Sequence, residues 1–150
     1  MSDNHQFCTF TLGDFTFGIA VQAIQEVILF QEMTPVPLAP ATVHGLINLR
    51  GQIVTAIDLR GRLDLPPRRD GELPMNVIVR TPDGAVSLLV DQIGDVVEVE
   101  PALHEDAPET LEGAAREIVT GVYKMPGHLL LILDVTAAVT VPNSIQPSRN

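Results

Sequence analysis

The chain has 150 residues, 9 Lys+Arg against 19 Asp+Glu, and a formal net charge of −10. Binding to nucleic acid or to an anionic membrane surface depends on Lys and Arg neutralising phosphate, so this balance speaks against both. With 45% apolar residues, 19% charged residues and no Trp, the composition implies a folded chain with an aliphatic core rather than a disordered one. The single cysteine, Cys8, excludes an internal disulfide and any multi-cysteine metal site.

In chain order, residues 1–6 are polar and lack a basic-then-apolar leader pattern. The longest aliphatic run, 129–133, is far too short to span a bilayer, so direct membrane insertion is not expected and the location is read as cytoplasmic. Residues 7–12 alternate, Gly13-Asp14 turns the chain, and 15–20 alternate again, which predicts a hairpin. Residues 21–29 fit two patterns, a helical spacing of Val21, Ile24, Val27 and Ile28 and an extended 26–30. Strands are predicted at 46–49 and 53–57, flanking Arg50-Gly51-Gln52, then a short helical turn at 59–63. Residues 65–74, with three prolines, a glycine and four charges, read as a connection between two halves. Beyond it, strands are predicted at 76–81, 85–90 and 95–99. An acidic, irregular and partly helical stretch follows at 101–116, then strands at 117–124 and 128–133 around Met125-Pro126-Gly127, and a loose tail from 142.

The two halves resemble each other. Val21, Ile24 and Glu26-Val27 fall 69 positions before Val90, Ile93 and Asp95-Val96, whereas Gly45, Gly51 and Asp58 fall 76 before Gly121, Gly127 and Asp134. The offset grows within the acidic stretch of the second half. Matched glycines can supply positive φ at hairpin turns, and each matched Asp can cap a short helix after an apolar strand. Two similar small β units are the expectation, against the alternative that two aliphatic hairpins look alike by patterning alone.

Catalytic signatures are missing. His5, His44, His104 and His128 show no metal-ligand spacing, and no serine sits in GxSxG. No phosphate-binding glycine motif occurs. Cys8 lies in an apolar alternation and reads as a buried thiol, and Ser87 as a mid-strand structural residue. No cofactor or metal is expected. Arg50, Arg60, Arg62, Arg68, Arg69 and Arg80 are six of the nine basic residues, while nine acids lie between Asp91 and Glu117. A polarised surface that steers a protein partner and ordinary solubility charge both fit this pattern.

Residues 44–51, HGLINLRG, are followed by QIVTAIDLR at 52–60. With FTLGDFTFGI at 10–19, IQEV at 24–27, VDQIGDVVEV at 90–99 and TGVYKMPGHLLLILDV at 120–135, they resemble the CheW-like family over residues 7 to 139. The resemblance implies a mainly β fold, two intertwined SH3-like five-stranded β-barrels with a few short helices. It places barrel subdomains at roughly 15–75 and 76–135, with the N-terminal strand exchanged between them and 140–150 as a loose tail. It also implies a non-catalytic adaptor that couples transmembrane chemoreceptors, at their cytoplasmic tip, to the CheW-like regulatory domain of a chemotaxis histidine kinase. The location it implies is cytoplasmic, recruited to membrane-associated receptor arrays.

Carried over by position, the receptor-binding residues are Ile24, Glu26, Gly45, Asn48, Arg50 and Val96, with Val27 and Leu29 facing the kinase. Arg50 pairs with Glu26, a bidentate match that Lys cannot reproduce; fixing the strands of the first barrel is the other reading of that pair. Core packing is the other reading of Ile24 and Val96, and backbone geometry that of Gly45. The same fold could serve a receptor–kinase pathway outside chemotaxis, or a small β-barrel ligand binder or enzyme. The chain departs from the family in a short, proline-bearing C-terminus and an aromatic strand at 15–17.

Overall fold

The computed structural model describes residues 5–40, 42–107, 111 and 113–140. It contains eleven strands: β1 (Gln6–Leu12), β2 (Phe15–Ala20), β3 (Ile24–Ile28), β4 (Val43–Leu49), β5 (Gln52–Asp58), β6 (Met75–Thr81), β7 (Gly84–Val90), β8 (Gln92–Glu98), β9 (His104–Glu105), β10 (Val119–Met125) and β11 (His128–Leu133). The helices are short: α1 (Leu59–Arg62), α2 (Gly113–Ile118) and α3 (Val135–Val139). The predicted tail lies outside the described residues. The ambiguous segment satisfies both patterns in turn, a 3-10 turn at Val21–Ala23 and then strand β3. Glu117 belongs to α2, so the strand predicted from 117 begins at Val119.

The strands form two sheets, ordered β8-β1-β2-β11-β10-β9 and β3-β6-β7-β5-β4. The second has the five strands expected. The first has a sixth, because the two-residue β9 pairs with β10 at Tyr123 and Val122. The composition break at 65–74 is not where the sheets divide. Met75–Thr81 and Gly84–Val90 pair with strands from before the break, while β1 and β2 pair with β8 and β11. The whole β1–β2 hairpin thus sits in the sheet of the second half, and β6–β7 sits in the sheet of the first. A proline-rich loop ends pairing locally, but strand partners are chosen by the faces that can be buried.

The sheets have the same plan. β1–β2 and β6–β7 are 69 residues apart, and each joins in parallel to the hairpin of the other repeat, β2 to β11 and β7 to β5. Asp58 accepts from the Arg60 amide at 3.1 Å, and Asp134 from the Thr136 amide at 3.0 Å, so both matched aspartates cap a helix as predicted.

Burial follows from this exchange. One cluster lies between the sheets and draws Phe10, Phe17, Ile57, Leu59, Val79, Leu88, Ile118 and Leu133 from both. A smaller cluster fills each sheet's own interior: Phe7, Tyr123, Leu130 and Ile132 in the first, and Ile47, Leu49, Val54 and Ile78 in the second. Ser87 is buried and donates to Asn76 Oδ1 at 2.7 Å, while Asn76 donates to the Leu29 carbonyl at 3.0 Å. The mid-strand serine therefore completes a buried polar pair, as most buried polar groups do. Cys8 is buried, and burial pushes its thiol up, away from the thiolate a nucleophile needs.

Candidate functional site

Only two residues, Arg50 and Gly51, connect β4 to β5. Their φ angles are +52° and +89°. A two-residue hairpin needs positive φ at both positions when it follows the twist of the strands. Glycine accepts this freely, but arginine must be held there. Asn48 does so by accepting the Gly51 amide proton on Oδ1 at 2.8 Å. The motif's asparagine and glycine therefore build the turn, and the turn aims the arginine.

Arg50 Nη2 donates to Glu26 Oε2. Glu26 lies on β3, at the opposite end of the sheet order from β4, so this ion pair joins the sheet's first and last strands. The chain beyond β3 closes the same gap, because Thr34 exchanges two backbone hydrogen bonds with Leu46 of β4, at 2.8 and 2.9 Å. The hydrogen bond from Arg50 holds the Glu26 carboxyl below the usual carboxylate range; burial opposes this, while a Gln25 hydrogen bond and the arginine charge add to it. The Arg50 side chain is 67% exposed. An exposed pair contributes little to folding, so its weight lies in shaping and charging this rim.

The other predicted residues fall in different places. Gly45 is buried, and a Cβ there would lie 2.8 Å from the Thr34 carbonyl oxygen, so its smallness admits the protein's own Thr34 segment. Asn48 is exposed but committed to the turn. Ile24 is half-buried and packs against the cluster between the sheets. Val27 and Leu29 are exposed along the β3 edge. Val96 is exposed too, on β8 of the other sheet. Ile53 was not singled out in the sequence, yet it pairs with Asn48 across the hairpin and is 61% exposed. Its signal is the alternation of β5: Val54 and Ala56 are buried, which turns Ile53 outward.

Four of the six arginines, Arg60, Arg62, Arg68 and Arg80, serve as internal scaffolding. Arg60 and Arg68 both donate to Asp91, with Nε–Oδ1 distances of 3.0 and 2.9 Å, and Arg68 also donates to Asp58 at 3.0 Å. Arg62 is buried and donates to the Ala137 and Ala138 carbonyls at the end of α3. Arg80 donates to the Gln22 and Ile24 carbonyls. A cleft of about 340 Å³ lies beside Arg68 and Asp91, but those charges already neutralise each other. Among the described residues no three His, Cys, Asp or Glu side chains gather as a metal site. Among them, too, no helix is long and apolar enough to cross a membrane.

The CheW-like domain family matches residues 6–142. Chemotaxis protein CheW of Treponema pallidum is 30% identical over 137 residues, covering 89% of this chain and 81% of that protein. Its counterpart in Bacillus subtilis is 30% identical over 135 residues, covering 90% and 86%. The crystal structure of the scaffolding protein TtCheW from Thermoanaerobacter tengcongensis superposes with a TM-score of 0.81 at 25% identity, covering 92% of this chain and 94% of that one. Fold, repeat architecture and near end-to-end similarity agree: the chain belongs to the CheW-like domain family.

Proposed function

We propose that this protein is a non-catalytic adaptor that couples chemoreceptors to a chemotaxis histidine kinase. The observation that carries this reading is a match to the CheW-like domain family from residue 6 to 142, across most of the chain. The arrangement of side chains agrees with it. Many polar side chains serve caps, turns and internal ion pairs, while aliphatic side chains stand exposed near a charged turn. Exposed apolar side chains next to a fixed charge are what a protein partner recognises.

In this reading the receptor tip meets the rim around Glu26, Arg50 and Ile53, with Ile24 supporting it from beneath. Gly45 and Asn48 act indirectly, by letting the Thr34 segment approach and by holding the turn. Val27 and Leu29 on the β3 edge face the kinase's regulatory domain, and Val96 offers a separate contact on the other sheet. The protein works in the cytoplasm, recruited to membrane-associated receptor arrays. It transmits state by contacting two partners at once, so any signal must come from contacts that differ between array states.

The test is calorimetric titration of the purified chain with the regulatory domain of a chemotaxis kinase and with a receptor cytoplasmic fragment from the same organism. Saturable binding near one-to-one is expected with each. Arg50→Glu, folded by circular dichroism, is expected to lose receptor binding and receptor-dependent kinase control. Normal control by that variant would contradict the assignment of the rim, and no binding to either partner would contradict the adaptor reading itself.

A further inference from the structure

The two sheets share a plan, but only one of them is closed at its mouth. In the second sheet Ile78 and Leu49 fill the interior, Ala85 packs against them, and the Glu26–Arg50 pair lies across the opening. At the matched positions of the first sheet, Thr9 stands for Ile78, Met125 for Leu49 and Thr16 for Ala85. Asp95 stands for Glu26, and Pro126 stands for Arg50. A smaller, polar side chain replaces the isoleucine, and proline cannot reach across. The result is a cavity of about 320 Å³ lined by Thr9, Thr16, Asp95, Met125, His128 and Leu130. The Thr9 hydroxyl is tied to the Asp95 carbonyl at 2.7 Å. Among the described residues nothing bonds to the Asp95 carboxylate, which is exposed at the mouth, and Glu98 and Glu100 follow it on the same segment.

We infer that this mouth is a socket for an arginine side chain presented on a tight turn of a partner protein, which takes beside Asp95 the place that Arg50 takes beside Glu26. Three observations favour that occupant. The exposed Asp95 carboxylate, which lines the cavity, calls for a cation. The apolar wall formed by Met125 and Val97 suits the flat, weakly hydrated guanidinium better than an ammonium. The molecule already contains the same recognition within one chain, an arginine on a two-residue turn set over a carboxylate at a sheet mouth. This socket rests on the adaptor reading for its macromolecular partner and adds to it a specific contact on the other sheet from the Arg50 rim.

Two variants test it in the full chain. Asp95→Lys reverses the charge at an exposed position. Lys124→Asn combined with Pro126→Arg grafts the asparagine-anchored arginine turn of the first hairpin onto the second, filling the socket from within. Thermal unfolding checks that both fold. With the kinase regulatory domain and the receptor fragment as titrants, one of the two is expected to lose at least about tenfold in affinity for both variants, the scale of a lost interfacial charge contact. Wild-type affinities for both titrants in both variants would overturn the socket while leaving the adaptor reading intact. If the unmodified chain binds neither titrant, the adaptor reading fails, and the socket is judged with the peptide acetyl-Val-Arg-Val-amide by NMR. Saturable shifts of the Thr9, Gly94 and Leu130 amides that vanish in Asp95→Lys uphold it, and no shifts overturn it.

Discussion

Arg50 combines two demands in one residue: a left-handed backbone and a side chain that reaches Glu26. The two separate by mutation. Arg50→Gly keeps the positive φ at no steric cost but deletes the pair, whereas Arg50→Ala deletes the pair and keeps the strain. The glycine variant is therefore expected to melt above the alanine variant, with both equally deficient in coupling. Reversed melting order in differential scanning calorimetry would refute this account of the turn. Asp91 makes a different argument. Burial alone would push its carboxyl up, but the hydrogen bonds from Arg60 and the Gly13 amide, with the charges of Arg60 and Arg68, hold it below its ordinary value. A carboxyl depressed in the folded state lends stability above its unfolded value of about 3.9, and loses it as pH falls through the folded value. Denaturant midpoints should therefore fall on acidification below about pH 4. Asp91→Asn should lower stability at neutral pH and flatten that acid limb; Glu26, depressed by Arg50, leaves a residual slope. An unchanged acid limb in Asp91→Asn would show that the hub is not what acid attacks.

At the scale of elements, matched glycines let a neighbouring segment close the edge of each sheet. Gly45 faces the Thr34 carbonyl, and Gly121 faces His104 and Glu105 of β9. In both cases the approaching segment pairs with the residue after the glycine, Thr34 with Leu46 and Glu105 with Val122. Closing edges in this way removes backbone groups that would otherwise invite another strand. Gly45→Val puts branched carbon where there is room for none, and is expected to cost about 1–3 kcal/mol, as overpacking does. Urea titration would show it. A variant as stable as wild type would mean that the Thr34 segment moves aside freely, and with it the sheet closure.

At the scale of the whole molecule, the exchange of hairpins makes the halves interdependent. Phe10 and Phe17 of one sheet and Val79 and Leu88 of the other lie in a single buried cluster. The Asp91 hub ties the β1–β2 turn, α1 and the 65–74 segment together, and Arg62 of α1 bonds the end of α3. Neither sheet can lose its fold without exposing the other's core, so a single unfolding transition is expected. The chain has one tyrosine and no tryptophan. Tyr123 fluorescence reports the first sheet, and far-ultraviolet circular dichroism reports both. Coincident urea transitions are the expected result, and a separate early loss of either signal would show that the halves unfold independently.

Most strands, both helix caps and the repeat were legible in the sequence, because alternation, turn glycines and capping aspartates act within a few residues. The hairpin turn at Arg50-Gly51 was legible for the same reason, though its reading included Gln52, which belongs to β5, and missed the Asn48 anchor; the resemblance it anchored led to the right family. What the sequence could not decide is what depends on distant partners. Residues 65–74 look like a boundary between domains, yet β6 and β7 return to the first repeat's strands because their apolar faces are buried there. Six arginines look like a surface, yet five of them are engaged with the protein's own carboxylates and carbonyls, and pairings across 10 to 76 positions leave no local trace. Local rules determined the elements and their turns; the choice of which faces to bury and which charges to pair was made only when the two repeats closed on each other.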